Sequence, residues 1–168
     1  MGLEYAKPVG MKTYLTSMLI LAGSLCWNIS TRAADLDFGD HSSQAITGKA
    51  WGSLAANKYD DTIAYTKKCI ELFEKEALKM QAGLTEPVPE GDEKAISAKW
   101  ALNDVGTCYF IQGKAYEGLE KNKEAMAAYK TLVTKLTFAQ CWDPNGWFWK
   151  PADAAKERLA ELEFDAEE

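Results

Sequence analysis

Histidine is almost missing from this chain: His41 stands alone among 168 residues, in a polar stretch that shows no period. A Ser-His-Asp triad, an HExxH zinc helix and a histidine-rich metal centre all need an ordered imidazole, so these chemistries are excluded together. Glycine-rich phosphate loops are missing as well, which removes a nucleotide cradle. Cysteine is sparse, with Cys26, Cys69, Cys108 and Cys141 too far apart for CxxC or CxxCH, so zinc, redox and haem signatures have no support. Strand signals of alternating apolar and polar residues are also wanting. The 25 Asp and Glu side chains are accounted for by solvated helix faces, and no pair is set apart for acid and base work. No cofactor, no metal and no enzymatic activity are expected.

Positive charge is in deficit. Lys and Arg number 19, the net charge is −6, and it becomes −8 from residue 35 onward because the first 34 residues hold Lys7, Lys12 and Arg32 against Glu4 alone. Nucleic acid needs clustered cations to displace counterions from phosphate, and anionic membranes attract basic surfaces, so neither is an expected partner. Long apolar runs are absent too: the longest, from Tyr14 to Trp27, falls short of the roughly 20 residues of a spanning helix. Preceded by Lys12 and followed by Thr31-Arg32-Ala33-Ala34, that run reads as a secretory signal peptide, residues 1 to 33, cleaved after Ala33. Met11 is a more natural start than Met1, and Leu25 before Cys26 speaks against lipid attachment. The expected location is the periplasm or exterior of a bacterial cell, with no integral membrane span in the mature chain.

What is abundant is helix. With 47% hydrophobic and 26% charged residues, the exported part is expected to form one domain. Residues 34 to 43 read as a flexible arm. In residues 44 to 73, Ile46, Ala50 and Leu54 share one helical face, Asn57-Lys58 turns the chain, and the period resumes from Tyr59 to Phe73. Helix continues to Gly83, a loop with Pro87, Pro89 and Gly91 follows, and a new helix starts near Glu93. The stripe Ile96, Trp100, Val105, Tyr109 predicts one continuous helix of about 25 residues from Ala95. Asp143-Pro144-Asn145-Gly146 signals a turn inside an aromatic loop, residues 139 to 150, and Pro151 opens a last helix, 151 to 162. Residues 163 to 168 form an acidic tail. Cys69 and Cys108 occupy small-residue positions on helices, where a thiol acts as a compact buried hydrophobe.

Residues 109 to 133 carry a specific resemblance. Gly113 and Tyr116 lie three apart on one helix, Ala125 lies early on the next, and Tyr129 and Leu132 continue its stripe. This segment is similar to one unit of the tetratricopeptide repeat (TPR) family, and residues 44 to 73 resemble a second unit, with Thr62 where Ala is usual and Thr66 where an aromatic is usual. An insertion, 75 to 104, separates the two. The resemblance implies an all-α fold of about five helices in antiparallel pairs, a short TPR-like array closed by the capping helix 151 to 162. It also implies a concave groove lined by the inner helices, which places Thr47, Trp51 and Leu54 from the first unit and Phe110, Lys114 and Glu117 from the second at a partner-binding surface. Unless the insertion or the arm covers Trp51 and Phe110, they suit a protein or peptide partner. The function expected is a non-catalytic interaction module or scaffold of the cell envelope or exterior. Two alternatives stand beside it: a glycan or cell-wall binding module that stacks sugars on Trp142, Trp147 and Trp149, and a small accessory subunit of a larger envelope complex. The bland reading of the tryptophan loop is a satellite hydrophobic cluster under the last helix.

Overall fold

A computed structural model describes residues 36–143 and 145–166. The signal-peptide expectation lies outside them. The described chain is mostly helical, in the order α1 (Ser43–Ala55), α2 (Tyr59–Ala82), α3 (Glu93–Ser97), α4 (Trp100–Gly118), α5 (Asn122–Lys135), β1 (Cys141–Asp143), β2 (Trp147–Trp149) and α6 (Pro151–Asp165). Local chemistry sets these bounds. The Ser42 hydroxyl accepts the Ala45 N–H at 3.2 Å and so caps α1, and Asp92 does the same for α3 through Ala95 at 2.9 Å. Asp60 and Asp61 sit in the first turn of α2, where the helix dipole favours negative charge, and Gly83 closes its other end. No helix among the described residues is long and apolar enough to cross a membrane.

Three expectations are corrected. The continuous helix from Ala95 is interrupted after Ser97, and the Ile96 carbonyl then accepts the Asn103 side-chain amide at 2.8 Å instead of a bond from an unbroken helix. The aromatic loop, where no strand was expected, forms a hairpin in which Cys141 pairs with Trp149, Trp142 with Phe148 and Asp143 with Trp147. Its turn residues do what their type favours: the Asp143 carboxylate accepts the Asn145 N–H at 2.8 Å, and Gly146 takes φ +103°. Finally, the arm from Leu36 is packed. Leu36 and Phe38 lie against the core, the Phe38 ring meets Tyr65 edge-on at 5.4 Å, and Asp37 pairs with Lys49 at 2.6 Å.

Packing follows from which helix faces are apolar or small. Contacts descend along α2 as they ascend along α4: Phe73 meets Trp100 at 5.6 Å between ring centroids, Thr66 accepts from Gln112 at 3.3 Å, and the Tyr59 ring lies against Gly118. α5 also runs opposite to α4, with Leu132 near Gly106 and the Tyr129 ring against Gly113. α1 lies along α4 in the same direction, because Ser43 reaches Asp104 and Thr47 reaches Cys108. Tyr129, Leu132, Val105, Ile111 and Leu102 are sealed in the resulting core. Thr66, a departure from the aromatic usual there, is fully buried with its hydroxyl donating to the Ile63 carbonyl at 3.0 Å, so its polar group is satisfied. α6 covers the far side of α5, burying Ala152, Ala155 and Leu162.

Candidate functional site

Because α1 and α4 run side by side, a stripe of each faces one opening. Ser43, Thr47 and Trp51 step along α1 at helical spacing, and Trp100, Asp104 and Thr107 step along α4. The arm, the short helix α3 and the hairpin close three sides. Together they enclose a cavity of about 730 Å³.

The floor is polar and tightly bonded. Asn103 accepts the Gln140 N–H at 2.9 Å on its oxygen, the Gln140 side-chain amide donates to the Val88 carbonyl at 2.9 Å, and Thr107 donates to the Asn103 carbonyl at 2.7 Å. Asp104 is held by the Ser43 hydroxyl, which donates to Oδ2. Burial raises the Asp104 pKa, since a low-dielectric setting disfavours the charged form, and the Ser43 bond opposes the shift only in part. The rim is aromatic: Trp51, Trp100, Trp142 and Phe148 line the opening, with Trp100 44% and Trp142 53% exposed. His41 also lines it, stacked on Phe38 at 6.1 Å.

The thiols are not arranged as nucleophiles. Burial pushes Cys141 up to about 12 and Cys108 well above the ordinary thiol value, so the thiolate that would attack is scarce at neutral pH. Cys69 and Cys108 are free and buried, sharing the Thr47 hydroxyl at 3.7 and 3.3 Å.

The six residues placed at the groove by resemblance separate into three groups. Thr47 is buried against those two thiols at the base of the cleft. Trp51 is 38% exposed on the rim, with Phe110 at 6.3 Å and Trp149 at 6.4 Å. Phe110 is half-buried between Trp149 at 5.3 Å and Tyr129 at 6.0 Å, so the hairpin, and not the insertion or the arm, covers it. Leu54 packs partly buried on the core. Lys114 and Glu117 lie outside the cleft in a polar network, where Glu117 accepts from Tyr129 and Arg158 and forms an ion pair with Lys114 at 3.6 Å. Burial acts to raise the Glu117 pKa, but the Arg158 and Tyr129 bonds outweigh it and hold the carboxyl below its ordinary value.

Of the three loop tryptophans, Trp142 alone lines the cleft, packed against Phe148 at 5.0 Å. Trp149 belongs to the Trp51–Phe110 cluster, and Trp147 is 53% exposed outside it. Sequence reasoning missed Trp100, Asp104 and Gln140. A signal existed for the first two, since Trp100, Asp104 and Thr107 repeat at helical spacing beside the apolar stripe of α4. For Gln140 there was none, because its neighbours in the cleft are distant in the chain. No protein-family model, no curated protein and no solved structure matches this chain.

Proposed function

We propose that this chain is a non-catalytic binding module, a TPR-like array of two helix pairs closed by α6, which holds a segment of a partner protein in the cleft between α1 and α4. One observation carries the reading: an open cleft with a bonded polar floor and an aromatic rim, built on the adjacent faces of two helices that run in the same direction. The TPR-like part is supported by the order of packing, with α1 on α2, α2 on α4 and α4 on α5, and by small residues, Ala50 and Gly113, at equivalent buried positions of the inner helices. Large, partly exposed indoles around a pocket are the usual anchors of protein recognition. The chain is read as exported and acting in the envelope or outside the cell, by itself or as a small subunit of a larger complex. Mass spectrometry of the protein from its host should then find a chain starting at Ala34 or Asp35.

Photocrosslinking tests the site. A benzoylphenylalanine placed at Trp142 should give a discrete protein adduct in the host, and the same group at Phe164 on α6, 63% exposed, should not. Equal adducts from both positions, or none from Trp142, would remove the reading.

A glycan-binding reading is kept because Trp142, an exposed indole on the rim of the cleft, can stack on a sugar ring. It requires that Trp142→Ala abolish retention on a peptidoglycan column, with Trp147→Ala having no effect.

A further inference from the structure

Two carboxylates, Asp40 and Asp104, line the cleft, and no lysine or arginine does. No ion pair among the described residues involves either one. Asp104 is the deeper of the two. Ser43 bonds its Oδ2, and among the described residues Oδ1 has no partner. Since no buried side-chain oxygen or nitrogen there is left unsatisfied, Oδ1 must open to the cleft. An ionised carboxylate accepts only, so it calls for a donor and a positive charge. The neutral polar groups around it are already engaged: the Asn103 amide with Ile96 and Gln140, and the Gln140 amide with Val88. The lining thus offers a ligand acceptors, chief among them the Asp104 oxygen, and the partly exposed indoles of Trp100 and Trp142.

We propose that the cleft takes a lysine or arginine side chain of the partner segment, its charged head on Asp104 and its stem against the rim indoles of Trp100 and Trp142. The proposal rests on the reading of this cleft as a protein-binding site. A cation over an indole face is attracted by the ring quadrupole, and the attraction grows where water is excluded. The long apolar stems of Lys and Arg suit a cleft with an aromatic rim over a buried carboxylate. Burial has already made the Asp104 carboxylate poorly hydrated, so a cation arriving there displaces less water than it would from a surface acid. The net charge of −8 from residue 35 onward draws a basic segment in and repels an acidic one. A neutral sugar would gain nothing from the charge.

The test titrates the chain with three capped pentapeptides, Gly-Ala-X-Ala-Gly with X as Lys, Gln or Glu, and with chitotriose as the sugar probe, reading the indole N–H resonances by NMR. The lysine peptide should shift the indoles of Trp100 and Trp142 and bind at least about tenfold tighter than the Gln or Glu peptide, the least expected of a charge pair in a desolvated cleft. Asp104→Asn should erase that preference. Raising salt from about 0.05 to about 0.5 M should weaken the lysine peptide alone, which probes the same charge pairing without a variant. Equal binding of the Lys and Gln peptides, unaltered by Asp104→Asn, would overturn the cation proposal and leave a peptide-binding cleft. Chitotriose shifting these indoles while no peptide does, or no probe shifting them, would overturn both.

Discussion

Gly113 carries no side chain because the Tyr129 ring occupies the space where one would begin: a Cβ there would fall 2.7 Å from Tyr129 Cδ1 and closer still to Cε1 and Cζ. Tyr129 cannot retreat easily, since its hydroxyl donates to Glu117 and the ring is fully buried. Gly113→Ala should therefore cost about 1–3 kcal/mol, the usual scale of overpacking, read as a lower Tm. An unchanged Tm would mean that α4 and α5 do not meet at this pair. Asp104 is the opposite case, a residue that the fold alone would be better without. Its pKa is raised, so the protonated form is favoured in the folded state, and the ionised form penalises stability above the folded pKa. That penalty fades as pH falls toward the ordinary Asp value of 3.8. Asp104→Asn keeps an acceptor for Ser43 and should raise Tm by about 3 °C at pH 7, the size of an effect of about 1 kcal/mol or below, with the gap closing in acid. A lower Tm at pH 7 would show that the carboxylate serves the fold. The Gly113 pairing was legible because helical spacing fixes which residues share a stripe. Asp104 was not, since an acid on a helix reads as solvated until a second helix is laid beside it.

At the scale of elements, the hairpin and α6 are the pieces that hold the two helix pairs to one shape. Trp149 of β2 meets both Trp51 and Phe110, whereas Trp147, at the turn end of the same strand, stays exposed. Trp149→Ala should lower stability by about 2–4 kcal/mol, near the lower end for a large aromatic because the site is only partly buried, and Trp147→Ala should stay within about 0.5 kcal/mol of wild type. Equal effects would mean that the cluster does not form. α6 is tied through Arg158, whose Nε donates to Glu117 at 3.3 Å while Nη2 pairs with the same carboxylate. The Glu117 pKa is depressed in the fold, so its contribution is complete above the unfolded value near 4.5 and is lost as pH falls through the lower folded value. Arg158→Met should cost about 1–2 kcal/mol at pH 7, discounted because the guanidinium is 34% exposed, and the difference from wild type should shrink below pH 4.5. A difference independent of pH would place the loss in packing alone. Helices, caps and the turn at Asp143 were readable from local chemistry. The hairpin was not, because one aromatic residue before the turn and three after it suit strand and loop alike until they find a surface to cover.

For the molecule as a whole, the cleft draws on the arm, α1, α3, α4 and the hairpin, and the separation of Ser43 from Asp104 by 61 residues shows why no local pattern announces it. Of the residues that the resemblance of 109 to 133 to a repeat unit singled out, Thr47 and Trp51 line this cleft. The resemblance also placed Lys114 and Glu117 on a groove, where the fold has them bonded to one another and to α6. Whether the cleft is the binding surface is decided by where a partner touches. Amide shifts should be mapped by NMR on the chain as the partner recovered by crosslinking from Trp142 is added. The changes should concentrate in Ser42 to Trp51, Ile96 to Thr107 and Gln140 to Phe148. Changes confined to the outer faces of α5 and α6, with these three segments unmoved, would contradict a cleft-bound partner.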